Sequence, residues 1–143
     1  MTARAGVRDP RRRLICRIGR RGASLLLLGS LVGLYGAGQL ADPLPDTRGV
    51  RLLLALAPMA LWSSTWIAAG LIAVACAFRR DNDWPGFAAL TAVTMPWTVS
   101  FLASWIPLND NPRGWITAIV FAAFAALPVV LVGWDEPPGR GTL

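Results

Sequence analysis

Along the chain, long apolar runs alternate with short clusters of Pro, Gly, Asn, Asp and Arg. The runs 23–40, 52–78, 87–106 and 115–134 are each long enough to cross a hydrocarbon core as a helix, which takes about 17 to 25 residues. None of them contains Asp, Glu, Lys, Arg or His. The connectors "ADPLPDTRGVR", "RRDNDWPG" and "PLNDNPRG" are rich in residues that stop helices. Connectors this short make successive helices antiparallel neighbours. The pattern predicts an all-α integral-membrane four-helix bundle at 23–134, between a basic tail at 1–22 and a short tail at 135–143. Asn82 or Asp83 before Pro85, and Asn111 before Pro112, are the expected N-caps. Pro58 and Pro128 are expected to bend their helices or to mark where they loosen.

Composition agrees with the pattern. Hydrophobic residues make up 55% and charged residues only 15%, against about 25% charged in an average soluble domain; the mean hydropathy is +0.50. The apolar surface must therefore face lipid. The formal charge is +6, but the arginines stand at the ends of the spans, so lipid headgroups and topology account for them and nucleic acid does not. Every basic residue is Arg, and together with abundant Ala, Gly, Pro and Trp this points to a genome rich in G and C.

Charge also predicts orientation. With the N-terminus inside, the cytoplasmic side carries 11 arginines, and only Arg48, Arg51 and Arg113 fall on the other. This positive-inside bias places both termini in the cytoplasm and the protein in the cytoplasmic (inner) membrane. Trp105 and Trp115 then flank the outer connector, and Trp84 and Trp134 lie near the inner headgroups. A twin-arginine export signal competes for the first span, because "RRRLI" at 11–15 approximates that motif and "GAG" at 36–38 offers small residues for cleavage. Cleavage would leave three spans, and the usual A-x-A site is lacking, so a retained anchor is expected.

Small residues recur at spacings of four in three spans: Gly29, Gly33 and Ala37; Ala69, Ala73 and Ala77; and Ala118, Ala122 and Ala126. Such faces let helix backbones approach closely, either within one bundle or between copies. In the third span Thr91, Thr94 and Thr98 share a face, with Ser100, Ser104 and Pro96 nearby. These hydroxyls either line a narrow polar path or bond to helix carbonyls. Trp62, Trp66 and Trp97 fall deeper than the interface and are expected to pack between helices.

The segment 11–21 sets Leu14, Ile15 and Ile18 among Arg11, Arg12, Arg13, Arg17, Arg20 and Arg21. As a surface helix it would contact an anionic inner leaflet, each arginine contributing about 1 kcal/mol. As an unstructured tail it would only fix orientation.

The chain contains no His, and Cys16 and Cys76 lack metal-ligand spacing. A His-dependent zinc site and a Ser-His-Asp triad are thereby excluded. Uncharged spans also weigh against a proton relay, an ion-coupled transporter or an intramembrane enzyme. The expectation is a protein without catalytic site, cofactor or metal.

In organisation the chain resembles small four-span membrane proteins of actinobacterial phages and prophages, some of them regarded as holins. The resemblance rests on the arginine-rich N-terminal segment, the tryptophan-bounded spans, and the passages "LWSSTWIAAGLIAVACAFRR" and "RGWITAIVFAAFAALPVVLVGW". It implies oligomers in the cytoplasmic membrane that open lesions or collapse the membrane potential, so that a cell-wall hydrolase can act. The ending "WDEPPGRGTL" departs from the strongly charged cytoplasmic tail common in holins. The alternatives are a non-lytic accessory or assembly subunit of a larger membrane complex, and a small dimeric transporter of an uncharged substrate.

Overall fold

The computed structural model describes residues 19–42, 48–79, 82–106, 108–109 and 111–133. Within them every regular element is helical: α1 (Arg20–Ala41), α2 (Arg51–Leu56), α3 (Met59–Cys76), α4 (Trp84–Trp105) and α5 (Gly114–Val132). The four long helices have 22, 18, 22 and 19 residues, which at 1.5 Å per residue is about 27 to 33 Å, the thickness of a hydrocarbon core. Each is long and apolar enough to span a membrane. Large apolar side chains such as Leu34, Leu71, Val99 and Ile119 point outward from all four long helices. Water would not tolerate so continuous an apolar surface, whereas lipid does. The chain is a multi-pass membrane protein.

The run 52–78 is not one helix. α2 ends at Leu56, Ala57 is extended (φ −160°, ψ 154°), and Pro58 stands at the N-cap of α3. A proline has no N–H to donate back, and it drives the preceding residue out of the helical region. Pro58 thus breaks the span rather than bending it. The junction is tied by the Trp62 indole Nε1, which donates to the Leu53 carbonyl at 2.9 Å. Pro96 and Pro128, by contrast, lie inside continuous helices.

The expected N-caps are partly displaced. Asp83 does occupy the N-cap position of α4, with Pro85 just inside, but its side chain makes no capping bond. At α5 the N-cap is Arg113. Asn111 closes the preceding turn instead, accepting from Arg113 N at its side chain and from Gly114 N at its carbonyl.

The long helices are antiparallel in sequence. Gly29 faces Ala73 and Gly36 faces Trp66 across α1 and α3, Gly86 faces Cys76 across α4 and α3, and Gly114 faces Phe101 across α5 and α4. α1 packs mainly on α3 and α5 mainly on α4; the α3–α4 seam joins the two pairs, and α1 touches α4 only lightly. One end of the bundle, here the tail end, carries the start of α1 and of α4. The opposite end carries α2, whose Leu53, with Val50 before it, is buried beside α4. Gly49 anchors that segment. Its φ of +89° suits glycine, a Cβ there would come within 2.5 Å of the Phe101 ring, and its carbonyl accepts from Ser100 Oγ at 2.7 Å.

Candidate functional site: packing faces, end charges and aromatic core

The α1–α3 seam is built on glycine, though not on the three residues spaced by four. A Cβ added at Gly29 would lie 2.9 Å from both the Ala73 Cβ and the Gly70 carbonyl, and one at Gly36 would lie 2.7 Å from the Trp66 Cβ. At Gly33 the nearest atom would be 3.9 Å away. Gly33 is half-buried and Ala37 is exposed. On the α3 side Ala69, Ala73 and Ala77 are all buried, with Gly70 beside them at the closest approach. Outside the seam, Gly29, Gly33, Gly70 and their neighbours Ser30, Ile67 and Leu71 line an open apolar groove of about 410 Å³.

α5 departs from the four-residue pattern in the same way. Ala118 and Ala125 are buried, whereas Ala122 and Ala126 are exposed. An α-helix turns every 3.6 residues, so each step of four rotates the face by about 40°, and two steps carry it off the contact. A step of seven returns to within about 20° of the start. Gly36 rather than Ala37 therefore completes the face begun by Gly29, and Ala125 rather than Ala126 completes that begun by Ala118.

The threonine hydroxyls of α4 are occupied by helix carbonyls. Thr94 donates to Leu90 O at 2.9 Å with a second contact to Thr91 O at 3.1 Å, and Thr98 donates to Thr94 O at 3.2 Å. Thr91 reaches across to Ala125 O on α5 at 3.3 Å. Ser63 and Ser104 likewise donate to carbonyls of their own helices.

Arg11, Arg12, Arg13 and Arg17 lie outside the described residues. Arg20 and Arg21 form the first turn of α1, with Arg20 exposed. Arg21 turns toward α4: its Nη2 donates to Asp83 Oδ1 at 3.0 Å, and its Nε lies 2.9 Å from Oδ2, an ion-pair contact without the alignment of a hydrogen bond. The guanidinium also sits 5.7 Å from the centre of the Phe87 ring. The carboxylate that would have capped α4 is engaged here, which is why that N-cap lacks a side-chain bond. Sequence reasoning counted Arg21 as a lipid contact, and only the proximity of two distant segments reveals the pair.

At mid-depth the helices meet in an aromatic cluster: Tyr35 of α1, Trp66 of α3, Trp97 and Phe101 of α4, and Phe121 of α5. Trp66 and Trp97 pack edge to face at 5.6 Å between centroids, Tyr35 meets Trp66 at 4.7 Å, and Phe121 stacks on Trp97 and Phe101 at 5.7 and 5.5 Å. Such offset and edge-on pairs exploit the ring quadrupoles. The depth of Trp66 and Trp97 was legible in the sequence; the part played by Tyr35 and Phe121 was not. Gln39, one turn beyond Tyr35, was also passed over. It is buried, and although the Tyr35 hydroxyl lies close by, neither carboxamide atom makes a well-formed hydrogen bond.

Among the described residues no three of His, Cys, Asp and Glu converge to hold a metal ion, and Cys76 is a free, buried thiol. The structure thus defines a small transmembrane four-helix bundle with charges at its ends and aromatic rings at its centre. Comparison with protein-family models, with curated proteins and with solved structures finds no match.

Proposed function

We propose that this protein works by associating with other transmembrane helices, as a holin does: copies assemble in the cytoplasmic membrane, both termini inside, and assembly breaks the permeability barrier. The observation that carries the reading is the outward exposure of Ala37 on α1 and of Ala122 and Ala126 on α5. The internal packing does not use these small side chains, and they let a helix of a second copy approach closely. The spans place no charge at that contact, so assembly requires no burial of an ion. On this reading the role is non-catalytic, and Arg20 and Arg79, exposed at the ends of the described spans, would meet an anionic inner leaflet.

A second reading, an accessory subunit of a larger membrane complex, is favoured by the threonine bonds. With those hydroxyls engaged by carbonyls, the threonine face gives a single bundle no hydroxyl-lined path, as suits a subunit that opens no pore. Membrane potential separates the readings. A voltage-sensitive dye is followed after inducing this protein in a bacterium, beside a matched four-span control. The holin reading expects an abrupt collapse after a delay, abolished by Ala122→Leu with Ala126→Leu. Undisturbed potential at equal expression would reject it and turn attention to copurifying membrane proteins.

A further inference from the structure

Buried polar groups are unevenly divided along the bundle. Of the five polar side chains buried among the described residues, Gln39, Ser63, Ser100 and Ser104 lie in the half toward α2, and Thr94 lies at mid-depth. The tail-end half is filled by Leu25, Ala73, Phe87 and Leu90, each no more than 2% exposed. At the boundary stand the Trp66 and Trp97 indoles, 3% and 1% exposed, whose Nε1 donors have no partner; the Gln39 carboxamide, 5% exposed, has the Tyr35 hydroxyl close by but makes no well-formed hydrogen bond. The Tyr35 ring touches both indoles, and Gln39 follows one turn later on the same helix. Two orphaned indoles and an under-bonded carboxamide therefore lie on α1, α3 and α4, linked through the Tyr35 ring.

Inside a bilayer an unsatisfied N–H or C=O costs several kcal/mol, and a buried water with two to four polar partners is the usual remedy. The buried serine hydroxyls of the same half have donated their protons to carbonyls but keep acceptor lone pairs. Donors, acceptors and a carboxamide that is both thus occur in one half of the bundle. Gln39 lies within the last turn of α1, close to the α2-end surface from which water would come.

We propose that the α2-end half of the bundle binds water, held by the Gln39 carboxamide and the Trp66 and Trp97 indole N–H groups, while the tail-end half is dry. The bundle is then a half-path: wet from the α2 end to the aromatic layer, and closed beyond it by Leu25, Phe87 and Leu90. This holds whether or not copies assemble into a lesion.

The test uses the full chain in lipid nanodiscs with nitrogen-15 in the tryptophan indoles, assigned by Trp66→Phe and Trp97→Phe. Magnetisation transfer from water is measured at each indole N–H and at the backbone amides of Leu25 and Leu90. The expected result is water contact at both indoles, as at exposed Trp84, and none at the two amides. Gln39→Leu should remove or weaken the contact at one indole or both while the other resonances hold. Dry indoles in the unaltered protein would overturn the proposal. Water contact at the Leu25 and Leu90 amides would overturn the half-path, and unchanged contact in Gln39→Leu would exclude the carboxamide from the site.

Discussion

Gly70 of α3 lies directly on the backbone of Gly33 in α1, yet the two are not equivalent. A Cβ at Gly70 would come within 2.6 Å of the Gly33 nitrogen and of the Gly29 carbonyl, whereas a Cβ at Gly33 would find its nearest neighbour, the Gly70 Cα, at 3.9 Å. The side-chain vectors explain the difference: Gly70 points into the seam and Gly33 points along its edge, toward the open groove.

Opposite outcomes are expected for one substitution. Gly70→Ala must push α1 and α3 apart, because backbone cannot yield as a flexible side chain does, and should cost about 1–3 kcal/mol. Gly33→Ala should be neutral, or stabilising by up to about 1 kcal/mol from helix propensity, as should Gly38→Ala, where nothing lies within 4 Å of the added carbon. Reversible unfolding in mixed micelles, followed by circular dichroism, measures both. Equal losses at positions 33 and 70 would mean that the helices approach differently from the geometry described.

The Arg21–Asp83 pair links the first turn of α1 to the start of α4 at the tail end. Its side chains keep 26% and 17% of their exposure, so solvent and headgroups screen it, and a coupling of about 1 kcal/mol is expected. A double-mutant cycle of Arg21→Gln and Asp83→Asn isolates that term, which should shrink as salt rises. Zero coupling at low salt would leave the Phe87 contact as the restraint on Arg21.

How much of this was legible depends on the range of the interaction. The four spans follow from uninterrupted hydropathy, which is local, and the structure returns all four. The break at Pro58 was also encoded locally, but one long apolar run disguised a short helix and a full span as a single element. Gly70 was hidden for another reason: its neighbours four residues away are Trp66 and Val74, so no small-residue repeat marks it. Ala122 and Ala126 show the reverse case, a visible repeat that helical rotation carries off the internal contact and onto the outer face. Arg21 and Asp83 are 62 positions apart, and nothing in either local segment announces the other.

The aromatic cluster should dominate the stability of the bundle. Trp97 is 1% exposed and its ring meets those of Tyr35, Trp66, Phe101 and Phe121. Trp97→Ala is expected to cost about 3 kcal/mol, the low end for such truncations in water, because in lipid the loss is of packing and not of transfer from water. Trp84, largely exposed at the helix start, should tolerate alanine within about 0.5 kcal/mol. Thermal unfolding in detergent compares the two, and a similar loss at both would mean that the cluster does not hold the helices together.

The threonine face offers a test in which folding and permeability are read separately. Thr94 and Thr98 bond only within α4, and Thr91 alone reaches another helix. Valine keeps the shape and removes the hydroxyl, so Thr94→Val and Thr98→Val should each change stability by less than about 1 kcal/mol, and Thr91→Val by about 0.6 kcal/mol, the mean for an interhelical bond in a membrane protein. The triple variant should therefore fold and insert in normal amounts. If assembled copies expose this face to water, with Thr91 giving up Ala125 for solvent, the triple variant should slow or abolish collapse of the membrane potential. If collapse proceeds unchanged, the lesion lies elsewhere, and the outward alanines of α1 and α5 become the surfaces to alter next.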